Sequence, residues 1–177
     1  MIKSGTAIFL RYVGTKCSDL GQSFGATLTE RETDVLDYVR RTAARSEVER
    51  EEKEKDGVFT GRYAVNPVNA EAIPIWVADY VLMGYGTGAI MAVPAHDERD
   101  HAFAERYGIE IRQVVGSSRG DVAEAGAFVS HSADEVLVNS GEFSGLSSPD
   151  GKAAINYYRK AAKGSSPAAI AATSSPG

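Results

Sequence analysis

Gly84-Tyr85-Gly86-Thr87-Gly88-Ala89-Ile90-Met91-Ala92-Val93-Pro94-Ala95-His96-Asp97-Glu98-Arg99-Asp100 is the stretch on which the reading of this chain turns. Glycines at alternate positions (Gly84, Gly86, Gly88) mark a turn or bulge that needs backbone freedom. The apolar run Gly88–Val93 reads as a short strand, and Pro94 ends it. His96, Asp97, Glu98, Arg99 and Asp100 then crowd into the opening of a helix. Polar side chains gathered at the end of a rigid strand commonly build a binding site.

Outward from this stretch, the rest of the chain suits one soluble domain. Its 177 residues are 43% hydrophobic and 24% charged, enough for a real core. No apolar run approaches the roughly 20 residues of a membrane helix, so no membrane partner is expected. The N-terminus shows no signal-peptide pattern, and Cys17 is the single cysteine, which points to a reducing, cytoplasmic setting. The net charge of −5 leaves no surplus of Lys and Arg for neutralising phosphates. Any RNA would have to be held mostly by something else, as for a domain inserted in a larger enzyme.

Residues 6–13 read as a strand and Gly14 to Thr27 as loop. Thr29 and Glu32 form a capping-box pattern ahead of Val35, Leu36, Val39 and Ala43 at helical spacing. Glu47 to Asp56 is almost all charge of both signs and reads as a solvated helical arm. Arg62–Val65, Ile73–Leu82, Ile109–Val115 and Glu135–Val138 are further strand candidates, and Asn66-Pro67 marks a turn. A helix from near Asp97 to before Gly108 is expected to bury Phe103, Ala104 and Tyr107. Another starts at Ser148 with Pro149 at its first position and stops at Gly164. The remainder, 164–177, is low-complexity tail. These elements predict an α+β fold around a small barrel-like β-sheet core with peripheral helices.

Each polar residue of the opening stretch has a purely structural reading. Asp97 suits a helix N-cap, Asp100 complements the helix dipole at under about 1 kcal/mol, and Arg99 suits a surface ion pair. His96, Asp97, Asp100 and His101 suggest a metal set. Yet the two histidines are five apart and point to different sides, and the chain has only three His and one Cys. No metal and no other cofactor is expected. The glycines match neither a dinucleotide fingerprint nor a P-loop, and Cys17 and Ser18 have no nearby His to activate them.

The opening stretch closely resembles the editing domain of bacterial-type leucyl-tRNA synthetase. The likeness runs from about Leu28 to Ala162. It includes Gly57-Val58-Phe59-Thr60-Gly61, Tyr63-Ala64-Val65-Asn66-Pro67, Ile73-Pro74-Ile75-Trp76-Val77-Ala78-Asp79-Tyr80-Val81-Leu82, Val138-Asn139-Ser140-Gly141 and Phe143-Ser144-Gly145-Leu146. The Met91–Asp100 string looks specifically leucyl. The resemblance implies an editing domain over 1–163 that hydrolyses a noncognate amino acid from the tRNA 3′ end. It implies that Asp100 holds the α-ammonium of that amino acid, with Arg99 and Asp97 organising it and the RNA end. Met91 and Val93 would line the side-chain pocket with Tyr85 beside them, and Leu82 and Met83 would lie near the terminal adenosine. Gly86, Thr87 and His96 would complete the substrate-binding set. Water would attack without a protein nucleophile, assisted by a ribose hydroxyl, so catalysis would consist of positioning and charge stabilisation.

Residues 1–27 depart from the family pattern. The family's Thr-Thr-Arg-Pro-Asp-Thr segment, whose threonines support the transition state and exclude leucine, is replaced by Cys17-Ser18-Asp19-Leu20-Gly21-Gln22-Ser23, although Phe24-Gly25-Ala26-Thr27 echoes its end. Nor does the chain contain the His-Ile-Gly-His and Lys-Met-Ser-Lys-Ser motifs of amino-acid activation, so an isolated domain or a fragment of a synthetase is expected. Two functions stay open: an editing hydrolase, and an inactive module that binds aminoacyl-adenosine or the tRNA end.

Overall fold

The computed structural model describes residues 7–10, 31–43, 55–66, 68–78, 80–81, 89–117, 126–127 and 134–163, with backbone alone at 7–10, 43, 89 and 159–163. The Gly14–Thr27 loop, Thr29, most of the charged arm, the Gly84–Gly88 turn and the tail lie outside the described residues. Elements follow in the order β1 (Ala7–Leu10), α1 (Glu32–Ala43), β2 (Gly57–Val65), β3 (Ala72–Ala78), β4 (Ala89–Ala92), α2 (Glu98–Tyr107), β5 (Val115–Ser117), β6 (Glu135–Leu137), a 3-10 turn (Gly141–Phe143) and α3 (Ser148–Lys163). The fold is α+β. Its strands form a four-stranded sheet in the order β2-β3-β1-β4 and a separate β5-β6 pair. Among the described residues both sheets are open, so the barrel-like closure expected from the sequence is not what the described strands make.

The chain divides into two compact units. In the unit built on β1 to β4, β3 is one of the two inner strands, antiparallel to β2 and parallel to β1. Ile73, Ile75 and Val77 alternate along β3 and are all buried, the period of a sheet with one face on a core. Against them pack Val35 and Tyr38 of α1, one helical step apart, with Ala64 of β2. Full burial of one such aliphatic side chain is worth about 1.5–3 kcal/mol. Acidic Glu32 and Asp34 at the start of α1 and basic Arg40 and Arg41 at its end complement the dipole. Tyr38 donates its hydroxyl to both the carbonyl oxygen and Oδ1 of Asp56, at 2.9 Å each. Lys55 and Asp56 are not helical, so the charged arm does not extend as a helix to Asp56.

β2 carries a bulge between Phe59 and Tyr63. Gly61 sits there at φ 75°, a left-handed conformation that side chains resist, and buried Thr60 donates its hydroxyl to the Ile75 carbonyl at 2.8 Å. β3 stops at Ala78, short of the expected Leu82, while Tyr80 and Val81 beyond it remain buried.

The second unit begins with the turn Asn66–Glu71 and resumes at Ala92. Asn66 makes the turn that its sequence announces: Val68 N–H donates to its Oδ1 at 3.0 Å and Ala70 N–H to its carbonyl at 2.8 Å. α2 buries Phe103 and Ala104, whereas Tyr107 is only half-buried against Phe103. Gly108, at φ 64°, closes α2 in the left-handed cap geometry. Ile109–Val114 is irregular where a strand was expected, because its polar backbone groups are met from elsewhere. Val114 and Val115 N–H groups donate to His96 Nε2, and the Gln113 carbonyl accepts from Asn139 Nδ2. The strand begins only at Val115. α3 is capped one residue earlier than expected. Ser147 Oγ accepts from Asp150 N–H at 3.2 Å and donates to the Asp150 carboxylate at 2.6 Å, which leaves Pro149 at the second helical position.

Candidate functional site

The strand–loop–helix joint that opens the sequence reading folds into a closed hydrogen-bonded ring. Val93, just past β4, accepts from His96 N–H at 2.8 Å, a tight turn enforced by Pro94. Asp97 then caps α2: in extended conformation, its Oδ1 accepts from Arg99 N–H at 2.9 Å and Asp100 N–H at 3.1 Å. One turn into the helix, Asp100 reaches back, and its Oδ2 accepts from Val93 N–H at 2.8 Å. Val93 is thereby bonded through both its N–H and its carbonyl, and a carboxylate is fixed at the joint.

Asp100 is only 5% exposed, so this first-turn carboxylate, which complements the helix dipole as its position suggested, is also a buried tether. A charge so placed has its geometry decided by the fold, because an ionised group out of water needs hydrogen-bond donors. Asp97 is the N-cap that its position suggested. Arg99 is exposed, with Nη2 at 3.6 Å from Asp97 Oδ2, a contact worth little in water.

His96 uses Nε2 as an acceptor for two backbone N–H groups, at 3.1 and 3.3 Å, which places the proton of the neutral ring on Nδ1. His101 instead donates Nδ1 to the Pro94 carbonyl at 2.9 Å and lies 3.6 Å from Glu105. The two histidines thus face different partners. Among the described residues no three His, Cys, Asp or Glu side chains gather as a metal-binding group. Met91 packs half-buried against the core beneath α1. Leu82, Met83, Tyr85, Gly86 and Thr87 lie outside the described residues. Sequence reasoning did not anticipate the Val93 N–H as the partner of Asp100. Their seven-residue separation, with a proline turn and an N-cap between, was the available signal.

The family model for leucyl-tRNA synthetase, editing domain, matches residues 17–160, starting earlier than the Leu28 at which the resemblance is first evident and taking in the threonine-poor stretch. The chain belongs to that family. Among its relatives, the leucine–tRNA ligase of Synechococcus sp. (strain JA-3-3Ab) is 54% identical over 129 residues, 71% of this chain and 14% of that protein. The leucine–tRNA ligase of Rubrobacter xylanophilus (strain DSM 9941) is 52% identical over 135 residues, 75% of this chain and 16% of that protein. The chain thus spans about one-seventh of the length of the curated relatives it matches. A solved structure, the ternary complex of Agrobacterium radiobacter K84 agnB2 LeuRS-tRNA-LeuAMS, is 35% identical. It covers 62% of this chain and 12% of its own, with a TM-score of 0.48.

Proposed function

We propose that this chain hydrolyses the ester linking the 3′ end of leucine tRNA to a noncognate amino acid such as norvaline. Water adds to the ester carbonyl, the bond to the ribose oxygen breaks, and a free amino acid and a ribose hydroxyl leave. The observation that supports this reading best is the buried Asp100 carboxylate, fixed by Val93 N–H at the end of β4. A carboxylate held in place suits an α-ammonium, because its geometry is set before the ligand arrives. Asp97 sets the helix start that presents it, and Arg99 lies beside Asp97 for the RNA end. Met91 and Val93 line the amino-acid pocket in this reading, with Tyr85, Gly86, Thr87, His96, Leu82 and Met83 completing the contacts. No metal or other cofactor enters the chemistry. The tRNA 3′ end and the remainder of a leucyl-tRNA synthetase are the partners, in the cytoplasm, and a barrel-like core would need pairing by residues outside those described.

One observation favours a second reading. The Cys17–Ser23 stretch lacks the family's threonines, and a chain without them could bind aminoacyl-adenosine without cleaving it. Deacylation of norvalyl- and leucyl-tRNA, measured side by side, separates the two. A missing methyl in an apolar pocket is worth only about 1–3 kcal/mol, so slow hydrolysis with little preference for norvaline is expected. Restoring the threonine segment should bring back both rate and selectivity. No hydrolysis by either form, with analogue binding intact, would establish the binding module instead.

A further inference from the structure

His96 ties the strand-end ring to the β5–β6 pair. Its own N–H closes the turn on the Val93 carbonyl at 2.8 Å, while its ring Nε2 accepts from Val114 N–H at 3.1 Å and Val115 N–H at 3.3 Å. Val115 is the first residue of β5 and pairs with Leu137 of β6, and the Val114 carbonyl accepts from Val138 N–H at 3.0 Å. On the other side, Val93 N–H donates to the Asp100 carboxylate. One imidazole therefore joins the residue that fixes Asp100 to the start of the second sheet. Val114 is 1% exposed, so its N–H is shut off from solvent and depends on this acceptor.

Backbone N–H groups only donate, so Nε2 serves both of them only while it carries no proton. A proton there would set a third N–H against the other two, and the ring's charge would face the positive ends of two peptide dipoles. His101 is the contrast within the same turn of chain. Its Nδ1 donates to the Pro94 carbonyl at 2.9 Å, a bond that an imidazolium also makes, and its Nε2 lies 3.6 Å from Glu105, a carboxylate that welcomes the added charge. Other charged side chains on the segments that His96 joins have set employment. Asp97 caps α2 beside Arg99, Asp100 accepts from Val93, and Glu98 is exposed. Glu110 shares Arg112 with Glu71, which bonds it at 3.0 and 2.8 Å, and Glu135 of β6 is buried opposite Ser117. Acid thus strains the His96 contact and leaves the His101 contact standing.

Taking the strand-end ring as the proposed editing site, we infer that His96 is its positioning residue and works only as a neutral imidazole: a proton on Nε2 releases Val114 and Val115 and loosens the joint that fixes Asp100. The test follows the nitrogen-labelled 177-residue chain by NMR from about pH 8 to 4, reading the His96 and His101 ring nitrogens and the amides of Val93, Val114 and Val115. At the alkaline end the His96 ring should report a proton on Nδ1. On acidification, exchange protection of the Val114 and Val115 amides should fall at least about tenfold, and the Val93 amide signal should move with the His96 midpoint. His96→Gln, whose side-chain oxygen accepts but takes up no proton, should keep the protection and lose that titration. His96→Phe, with no acceptor, should lack the protection throughout. Overturning results are a His96 ring that stays neutral across the range, protection that is flat through its titration, a Val93 signal that follows His101 or does not move, or a His96→Gln protein that titrates like the parent. None of these signals requires catalysis, so a chain that fails to hydrolyse norvalyl-tRNA would still show them.

Discussion

Replacing Asp100 separates two roles that the strand-end ring combines. Asp100→Ala leaves the Val93 N–H without its acceptor and empties a site that is 5% exposed. An unsatisfied donor costs about 1–3 kcal/mol, and a charge-assisted bond is worth about 1.5–3 kcal/mol, so a loss of about 2 kcal/mol is expected. For a chain of this size that lowers Tm by about 4–8 °C. Asp100→Asn keeps an oxygen for Val93 N–H but removes the charge, and should cost about 1 kcal/mol or less. Against an unhydrolysable aminoacyl-adenosine analogue with a free α-amine the order reverses in significance. Both variants should lose at least about 2 kcal/mol, roughly thirtyfold, because the ammonium loses its ionic partner. Calorimetric unfolding and isothermal titration read the two quantities. Normal analogue binding by Asp100→Asn refutes the ammonium assignment. An Asp100→Ala protein as stable as the parent refutes the tether.

Asp97→Ala removes the acceptor for two N-terminal N–H groups of α2 and should cost about 1 kcal/mol in denaturant unfolding, with Asp97→Ser recovering most of it. Gly61→Ala should cost at least about 1 kcal/mol by the same measurement, because the bulge holds this residue at φ 75°. The guanidinium of Arg112 is shifted upwards, so its pairing contributes stability at every pH below its unfolded value and loses it only as pH rises through the still higher folded value. The stability difference between the parent and Arg112→Gln should therefore be flat from about pH 6 to 9. A net charge of −5 predicts weak tRNA binding with a shallow salt slope, and a steep slope at high affinity in a filter-binding series would reveal a concentrated basic surface.

The sequence by itself determined the elements whose causes are local. α1 follows from Val35, Leu36 and Val39 at helical spacing, α2 from an aspartate cap before and a glycine after, and the alternation of Ile73, Ile75 and Val77 marks a strand with one buried face. It also carried the family, through motifs whose order and spacing are visible without coordinates. Only the tertiary structure decided what depends on segments meeting across the chain. Ile109–Val114 has a strand's composition, but His96 and Asn139 take its backbone groups and keep it irregular. The two backbone N–H groups that His96 Nε2 accepts are likewise invisible in the sequence, because they come from Val114 and Val115, far along the chain. Asp100 has the same identity and helix position on either reading. Its burial against Val93 N–H turns a surface charge into a fixed one, because the cost of an ion is set by its surroundings and not by its place in the sequence.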